Sequence, residues 1–199
     1  MYKFFKRLFD ICASAFGILI LTIPFIIVSI AIKIESKGPV IFKQERVGLN
    51  GKHFKIWKFR SMVVNAESKG LQITSKEDCR VTKVGKIIRK LKIDELAQLF
   101  NVLFGQMSFV GPRPEVPKYV EMYTEEQRKV LSVKPGITDL ASIEYCDENN
   151  LLDSSENPEK TYIEEIMPKK LALNIEYIEK AGFFYDIGLI FKTFVRILK

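Results

Sequence analysis

Two adjacent carboxylates, Asp94 and Glu95, stand at the start of a helix predicted over residues 94–104. Unpaired N–H groups and the helix dipole favour negative charge at a helix start, so both side chains are expected to be ionised at neutral pH. An ionised carboxylate can attack phosphorus, and a neighbouring one can hold a divalent cation such as Mg²⁺. Helix capping explains an Asp-Glu pair equally well, so the pair alone does not establish a catalytic site.

Basic residues surround this pair in the sequence. Six of them precede it: Arg80, Lys83, Lys86, Arg89, Lys90 and Lys92. Arg113 follows it between Pro112 and Pro114, whose rings restrict the backbone on both sides. A planar guanidinium matches phosphate oxygens, and a diphosphate needs several cations because its leaving phosphate gains charge. The pattern therefore predicts a phosphate site at the arginine. A solvated face is the expected role of Lys83, Lys86 and Lys90.

An uncharged run of 22 residues, 11–32, lies near the N-terminus. As a straight helix it would extend about 33 Å, roughly one hydrocarbon core, and it offers no polar face to solvent. Pro24 would break such a helix, with the Thr22 hydroxyl a candidate partner for the freed carbonyls. Basic residues flank both ends of the run. A helix that breaks at Pro24 and re-enters keeps both flanks in the cytoplasm, so it is favoured over a spanning helix.

The remaining pattern predicts one compact domain of the α/β class, mostly helical with a small β-hairpin or sheet. Segments 40–45 and 53–59 are rich in β-formers and flank a turn at 48–51. Helices are predicted over 84–92, 94–104, 119–130 and 162–180. Residues 181–199 suit an amphipathic helix in the membrane interface, or one that packs on the core. The expected division is a re-entrant membrane helix over 1–36, broken at Pro24, and a cytoplasmic catalytic domain over 37–199.

Composition limits the function classes. The 199 residues carry a net charge of +7, which favours anionic partners such as membrane lipid, phosphate esters or nucleic acid. The three cysteines are far apart and without paired spacing, which argues against a disulfide framework or a zinc knuckle. The single histidine gives little support to a Ser-His-Asp triad or a histidine-based metal site.

Six segments form an ordered pattern along nearly the whole chain. They are Lys6-Arg7-Leu8-Phe9-Asp10; Gly38-Pro39-Val40-Ile41-Phe42 with Gln44, Arg46 and Gly48; Phe54-Lys55-Ile56-Trp57-Lys58-Phe59-Arg60-Ser61-Met62; Asp94-Glu95-Leu96 with Gln98-Leu99-Phe100-Asn101-Val102; Met107-Ser108-Phe109-Val110-Gly111-Pro112-Arg113-Pro114; and Lys134-Pro135-Gly136-Ile137-Thr138. Each segment is a weak signal alone, but the joint order is specific. In this pattern the chain resembles the small monotopic phosphoglycosyl transferases, a family of bacterial sugar transferases.

The resemblance implies an enzyme that moves a sugar 1-phosphate from a UDP-sugar to undecaprenyl phosphate and releases UMP. It implies an aspartyl-phosphosugar intermediate, Mg²⁺, and a catalytic domain on the cytoplasmic face of the bacterial inner membrane. Carried over, Asp94 is the nucleophile, and Glu95 holds the metal together with Asp94. The residues expected to bind the substrate phosphates and nucleotide are Arg113, Pro112, Pro114, Lys58 and Arg89. Membrane lipid is a further expected partner, and a homodimer is left open.

Two departures from the family pattern restrict what is carried over. Ile23-Pro24 stands where the family has Ser-Pro, so the angle of the break is not transferred. After Thr138 the chain reads Asp139-Leu140-Ala141-Ser142, where many members have Gly-Trp-Ala-Gln. The identity of the donor sugar is therefore not carried over from the family.

Two other function classes compete with the transferase. A membrane-anchored basic interaction module would not need the carboxylate pair. A nucleic-acid binder would leave the apolar run without a use, and nucleic acid is not an expected partner.

Overall fold

The computed structural model describes residues 2–66, 78–145, 152, 155 and 157–198. Helix α1 (Tyr2–Glu35) is 34 residues long and carries Pro24 inside it. Within the described part of the chain it is the one helix long and apolar enough to cross a membrane, and only 6% of its most apolar window is buried. So little burial is unlike the core helix of a soluble protein. The predicted long apolar N-terminal helix is therefore confirmed.

The helix continues through Pro24 without an interruption in its secondary structure. The Thr22 hydroxyl donates to the Ile18 carbonyl at 2.9 Å. Pro24 has no N–H to donate to the Ile20 carbonyl, and the Thr22 hydroxyl does not donate to that carbonyl either. The prediction that Thr22 is the partner of the freed carbonyl was therefore wrong. The re-entrant path and the domain boundary after residue 36 remain predictions.

Polar side chains at the start of α1 attach it to the rest of the protein. Arg7 donates to two carbonyls at the end of helix α3 (Gln98–Leu103), at 2.7 and 2.8 Å. Asp10 is 2% exposed and accepts from the Ser108 hydroxyl at 3.1 Å and the Phe109 N–H at 3.0 Å. These two hydrogen bonds offset part of the cost of burying the carboxylate, and they tie α1 to the strand that carries the two donors.

The predicted hairpin is confirmed. Strands β1 (Ile41–Val47) and β2 (His53–Phe59) pair antiparallel and are joined through a 3₁₀ turn at Leu49–Gly51. In this register Arg46 and Lys58 belong to the same face of the hairpin, because cross-strand partners share a face. Two cations far apart in the sequence are thereby presented on one surface.

Helix α2 (Lys83–Lys90) matches its prediction and is capped from two sides. Thr82 accepts from the Gly85 N–H at 2.9 Å, and the Glu35 carboxylate accepts from the N–H groups of Lys83 and Val84 at 2.6 and 3.0 Å. The C-terminal end of α1 therefore supplies the anion that the start of α2 favours. This contact joins α1 to the segment that leads into the carboxylate pair.

The helix predicted over 94–104 has two parts. Lys92 adopts a left-handed conformation at φ 56°, a 3₁₀ helix spans Ile93–Ala97, and α3 follows. The predicted C-cap at Gly105 is confirmed by its φ of +81°. The carboxylate pair thus lies on a short 3₁₀ turn rather than at the start of a regular α-helix.

A second, parallel pair of short strands follows. Strands β3 (Ser108–Val110) and β4 (Gly136–Thr138) pair so that Val110 lies opposite Thr138. Gly111, directly after β3, approaches Gly136 so closely that neither position has space for a side chain. The close approach fixes the backbone that leads into Arg113.

Replacing Gly136 by alanine is expected to cost more than about 2 kcal/mol of unfolding free energy. The new Cβ would lie 2.2 Å from the Gly111 nitrogen, and backbone cannot yield as a side chain can. Gly188→Ala is the control, because its Cβ would meet nothing within 4 Å; it should leave stability unchanged or raise it by up to about 1 kcal/mol. Thermal unfolding in detergent measures both. Equal melting temperatures for the two variants would contradict the close approach.

The C-terminal half is helical. Its elements are α4 (Pro117–Val120), a 3₁₀ helix (Gln127–Ser132), α5 (Leu140–Glu144), α6 (Pro158–Thr161), a π-helical turn (Tyr162–Ile166), α7 (Met167–Lys180) and α8 (Phe183–Leu198). The single helix predicted over 119–130 was wrong. Thr124 and Gln127 bond reciprocally, at 2.9 and 3.3 Å, in a capping box that starts a new segment there. The helix predicted over 162–180 is confirmed.

Helix α8 has one buried and one exposed apolar face. Leu189 is 1% exposed, whereas Phe184, Phe191 and Phe194 are more than half exposed. Exposed aromatic side chains in such number are costly in water. The predicted position of this helix in the membrane interface remains a prediction.

Candidate active site

The two predicted catalytic carboxylates differ sharply in their surroundings. Asp94 is 8% exposed, and no hydrogen bond reaches its carboxylate from the residues that the structure describes. Glu95 accepts from Lys58 Nζ at 3.0 Å and from both terminal nitrogens of Arg113, one of them at 3.2 Å. One carboxylate is thus open to a reaction partner, while the other is fixed by two cations.

The acid–base behaviour of the pair follows from these contacts. Burial raises the pKa of Asp94 and the charge of Glu95 adds to the shift, although Lys58 opposes it. Burial would also raise the pKa of Glu95, but Arg113 and Lys58 outweigh it and hold that pKa well below its usual range. Glu95 is therefore ionised at neutral pH, as predicted. The pKa of Asp94 shifts against the expectation, because burial outweighs the weak dipole of a single 3₁₀ turn.

Lys58 and Arg113, both predicted as phosphate ligands, come together at Glu95. Burial lowers the pKa of Lys58, and the charge of Glu95 opposes this shift. The Lys58 side chain is 20% exposed and that of Arg113 34% exposed, so both cations can still be reached from solvent. Two partly exposed cations beside an open carboxylate suit a substrate that carries phosphate.

The backbone around Arg113 is held on both sides. The Pro112 carbonyl accepts from the Gly136 N–H at 3.0 Å, and the Pro114 carbonyl accepts from Arg46 at 3.1 Å. Both prolines are buried, and their carbonyls are used within the fold. Their contribution to the site is the fixed position of Arg113.

Sequence reasoning missed the network that supports this loop. Arg46 also donates to Glu115 at 3.0 Å and to Gln44, and Glu115 accepts from the Tyr162 hydroxyl at 2.5 Å. Alternation on one face of β1 is the signal that could have linked Gln44 with Arg46, since both were already part of the family pattern. No signal in the sequence pointed to Tyr162.

The other basic residues divide as follows. Arg89, in the last turn of α2, is partly buried, and its charge lowers the pKa of Asp94. It therefore belongs to the electrostatic surroundings of the site. Arg80 pairs with Asp78 at 2.5 Å. The exposed lysines, which form a solvated face as predicted, are Lys83, Lys86 and Lys90.

The two carboxylates are also the candidate ligands for a metal ion. Among the described residues, no group of three or more His, Cys, Asp or Glu side chains could hold an ion. The Asp94–Glu95 pair offers two carboxylates, which is what Mg²⁺ takes from a protein when substrate phosphate and water supply the other oxygens. The oxygens of Asp94 accept no hydrogen bond there, whereas those of Glu95 are shared with two cations. The residues fit Mg²⁺ together with a phosphate ligand.

Comparison with known proteins adds to this geometry. A family model described as bacterial sugar transferase matches residues 1–199. A UDP-glucose:undecaprenyl-phosphate glucose-1-phosphate transferase of Klebsiella pneumoniae is 42% identical over 193 residues, which are 95% of this chain and 39% of that protein. A UDP-N-acetylgalactosamine-undecaprenyl-phosphate N-acetylgalactosaminephosphotransferase of Aeromonas hydrophila is 38% identical over an alignment of 203 positions, which covers 100% of this chain and 44% of that protein.

An uncharacterized sugar transferase, EpsL of Bacillus subtilis (strain 168), is 40% identical over 193 residues, which are 97% of this chain and 87% of that protein. The chain thus covers most of this relative. It spans less than half the length of the Klebsiella and Aeromonas proteins.

Proposed function

The chain belongs to the bacterial sugar transferase family, and we propose that it transfers a sugar 1-phosphate from a UDP-sugar to undecaprenyl phosphate. The observation that carries this proposal is the Asp94–Glu95 pair, in which a buried, open carboxylate adjoins one held by Lys58 and Arg113. The printed names of the Klebsiella and Aeromonas relatives support the classes of donor and acceptor.

The reaction runs in two steps. An oxygen of Asp94 attacks the phosphorus that bears the sugar, a P–O bond forms, and the bond to the UMP phosphate breaks so that UMP leaves with its electron pair. A phosphate oxygen of the lipid then attacks the same phosphorus, and the aspartyl–phosphorus bond breaks. Asp94 is regenerated, and the lipid carries the sugar phosphate. Covalent catalysis of this kind replaces one meeting of two bulky anions with two separate displacements.

The cations of the site neutralise the charge that develops on the leaving phosphate. Arg113 and Lys58 already point at the carboxylate pair, and Arg89 adds a more distant positive charge. Glu95 holds both cations beside Asp94 before substrate arrives, and the incoming diphosphate takes them over. A Mg²⁺ ion, which Glu95 and Asp94 would hold, supplies further charge neutralisation on the diphosphate when bound.

The two apolar helices α1 and α8 would bring the lipid acceptor to the site. In this proposal α1 re-enters the inner membrane from the cytoplasmic side, and α8 lies in the same interface. The exposed apolar residues on both helices support this arrangement, as does the contact from Glu35 to the start of α2. A soluble donor and a membrane-bound acceptor can then meet at Asp94.

The function is tested by supplying the purified protein with Mg²⁺, undecaprenyl phosphate and a panel of UDP-sugars. We expect one donor to give UMP and an equal amount of lipid-linked sugar phosphate. The productive donor identifies the sugar. No product with any donor, together with intact membrane binding, would favour a membrane-anchored interaction module instead.

Binding of Mg²⁺ and nucleotide is expected to be positively coupled. The diphosphate needs the cations that now hold Glu95, and the metal needs the oxygens that those cations occupy. The nucleotide therefore frees the Glu95 oxygens for the metal, and the metal frees the two cations for the nucleotide. This predicts at least about a 5-fold gain in UDP affinity on adding Mg²⁺. Calorimetric titration of UDP measures the gain. Glu95→Gln is the control, because UDP chelates Mg²⁺ in solution to the same extent in both titrations. An equal gain in UDP affinity in this variant would contradict the exchange of ligands at Glu95.

A further inference from the structure

A second cluster of positive charge lies away from the carboxylate pair, where α3 ends. A Cβ built on Gly105 would lie 3.2 Å from a terminal nitrogen of Arg7 and 3.5 Å from Lys134 Nζ. The two cations thus converge on one point, and the missing side chain of Gly105 leaves room for them. Gly105 is also left-handed at φ +81°, so the turn itself favours glycine.

The positive charge of this cluster is incompletely balanced within the protein. Burial lowers the pKa of Lys134, and the nearby charge of Arg7 lowers it further, with Asp10 opposing. Asp10 is engaged by Ser108 and Phe109, and the described residues make no hydrogen bond to the Lys134 ammonium. Arg7 uses two nitrogens on the α3 carbonyls, which neutralises that helix end. Two positive charges that lie close together and are partly buried are stabilised when an anion binds between them.

The surroundings of the cluster are apolar and exposed. Phe104, directly before Gly105, is 61% exposed, and on α1 Phe4 and Leu8 are 70% and 49% exposed. A free anion gains nothing from such neighbours, whereas a lipid offers a phosphate for the cations and acyl chains for the apolar rim.

We propose that Arg7 and Lys134 form a binding site for the phosphate of an anionic membrane phospholipid, with Phe4, Leu8 and Phe104 against its acyl chains. The site would hold the N-terminal end of α1 at the bilayer surface. It is separate from the catalytic centre, because Arg7 and Lys134 meet at Gly105 after the end of α3, whereas Asp94 lies on the 3₁₀ turn before that helix. The proposal does not depend on the identity of the donor sugar.

The test compares thermal unfolding of wild type, Lys134→Gln and Lys52→Gln in mixed micelles of phosphatidylcholine or phosphatidylglycerol, and with inorganic phosphate at a matched concentration. Lys52 is exposed in the hairpin turn, so its replacement removes one charge elsewhere. Phosphatidylglycerol should raise the melting temperature of wild type and Lys52→Gln by about 2–4 °C over phosphatidylcholine, the shift that about 1 kcal/mol of lipid binding produces in a protein of this size. Inorganic phosphate should produce little change.

Lys134→Gln should change the melting temperature differently in the two lipids. In phosphatidylcholine it should melt at the wild-type temperature or above it, because a repulsive, half-buried charge is gone. In phosphatidylglycerol it should gain less than half of the wild-type increment. A lower melting temperature of this variant in phosphatidylcholine would show that Lys134 has only a structural role. A full increment with phosphatidylglycerol would show that Lys134 does not bind the lipid. An equal rise in melting temperature with inorganic phosphate would show that the site binds a free anion and not a lipid. No rise with phosphatidylglycerol in wild type would overturn the site.

Discussion

Asp94→Asn is expected to lower kcat/KM for sugar-phosphate transfer by at least about 10³-fold, the scale on which loss of a covalent nucleophile acts. Asparagine has nearly the same shape, but its amide does not attack phosphorus. No hydrogen bond in the described structure depends on the carboxylate, so the loss should be chemical and not structural. Release of UMP from the donor in the presence of the lipid acceptor measures the effect.

The same substitution should leave the protein as stable as wild type, or more so. Burial raises the pKa of Asp94 above its unfolded value, so the folded state prefers the protonated form. Above the folded-state pKa the ionised carboxylate therefore opposes folding, and a neutral amide removes this cost at pH 7–8. A variant that is inactive and also clearly less stable would mean that Asp94 has a structural role. Activity within about 10-fold of wild type would exclude the nucleophile.

Glu95→Gln is expected to lower both activity and stability. The substitution leaves Lys58 and Arg113 without the carboxylate that accepts from both, and partly buried cations without a partner are costly. Because both cations keep some solvent contact, we expect a loss of about 1–3 kcal/mol in unfolding free energy, below the range for fully buried pairs. Activity should fall at least about 10²-fold, the scale for loss of one preorganised electrostatic contact.

The pH dependence distinguishes this effect from a general packing defect. Arg113 and Lys58 hold the pKa of Glu95 well below its usual range, so the ionised form stabilises the fold. That contribution is complete above the unfolded-state pKa of about 4.3 and is lost as pH falls through the lower folded-state pKa. The difference in melting temperature between wild type and Glu95→Gln should therefore be constant near neutrality and shrink below about pH 4. A difference that does not change with pH would point to packing. Asp94→Asn, a neighbouring amide substitution with the opposite expected sign, is the matched control.

Much of the fold could be predicted because local signals were strong. The hairpin has β-forming segments around Asn50-Gly51, and both residues adopt positive φ. The long apolar helix has no polar face, and Gly105 ends α3 as expected. Thr124, expected as an N-cap, does cap a helical segment through its reciprocal bonds with Gln127. The single helix over 119–130 failed because this cap starts a new segment in the middle of the predicted one.

The site could be predicted only in part. Residue type and spacing drew attention to Asp94, Glu95 and Arg113, whereas their roles rest on the family resemblance and stay predictions. The structure joins Arg113 and Lys58 at Glu95. The opposite pKa shifts of the two carboxylates could not be foreseen, since they depend on burial and on partners far away in the sequence. The same holds for the support of the arginine loop by Arg46 and Tyr162, which requires contacts across 47 residues or more.

The central claim is that Asp94 carries the sugar phosphate between the two substrates. Its most direct test is the intact mass of the protein after incubation with Mg²⁺ and the productive UDP-sugar in the absence of lipid. We predict one equivalent of UMP and a mass increase equal to one sugar phosphate in wild type, with neither in Asp94→Asn. Addition of undecaprenyl phosphate should then remove the added mass and yield the lipid product. Turnover without any adduct, unaffected by Asp94→Asn, would contradict the covalent role of this residue.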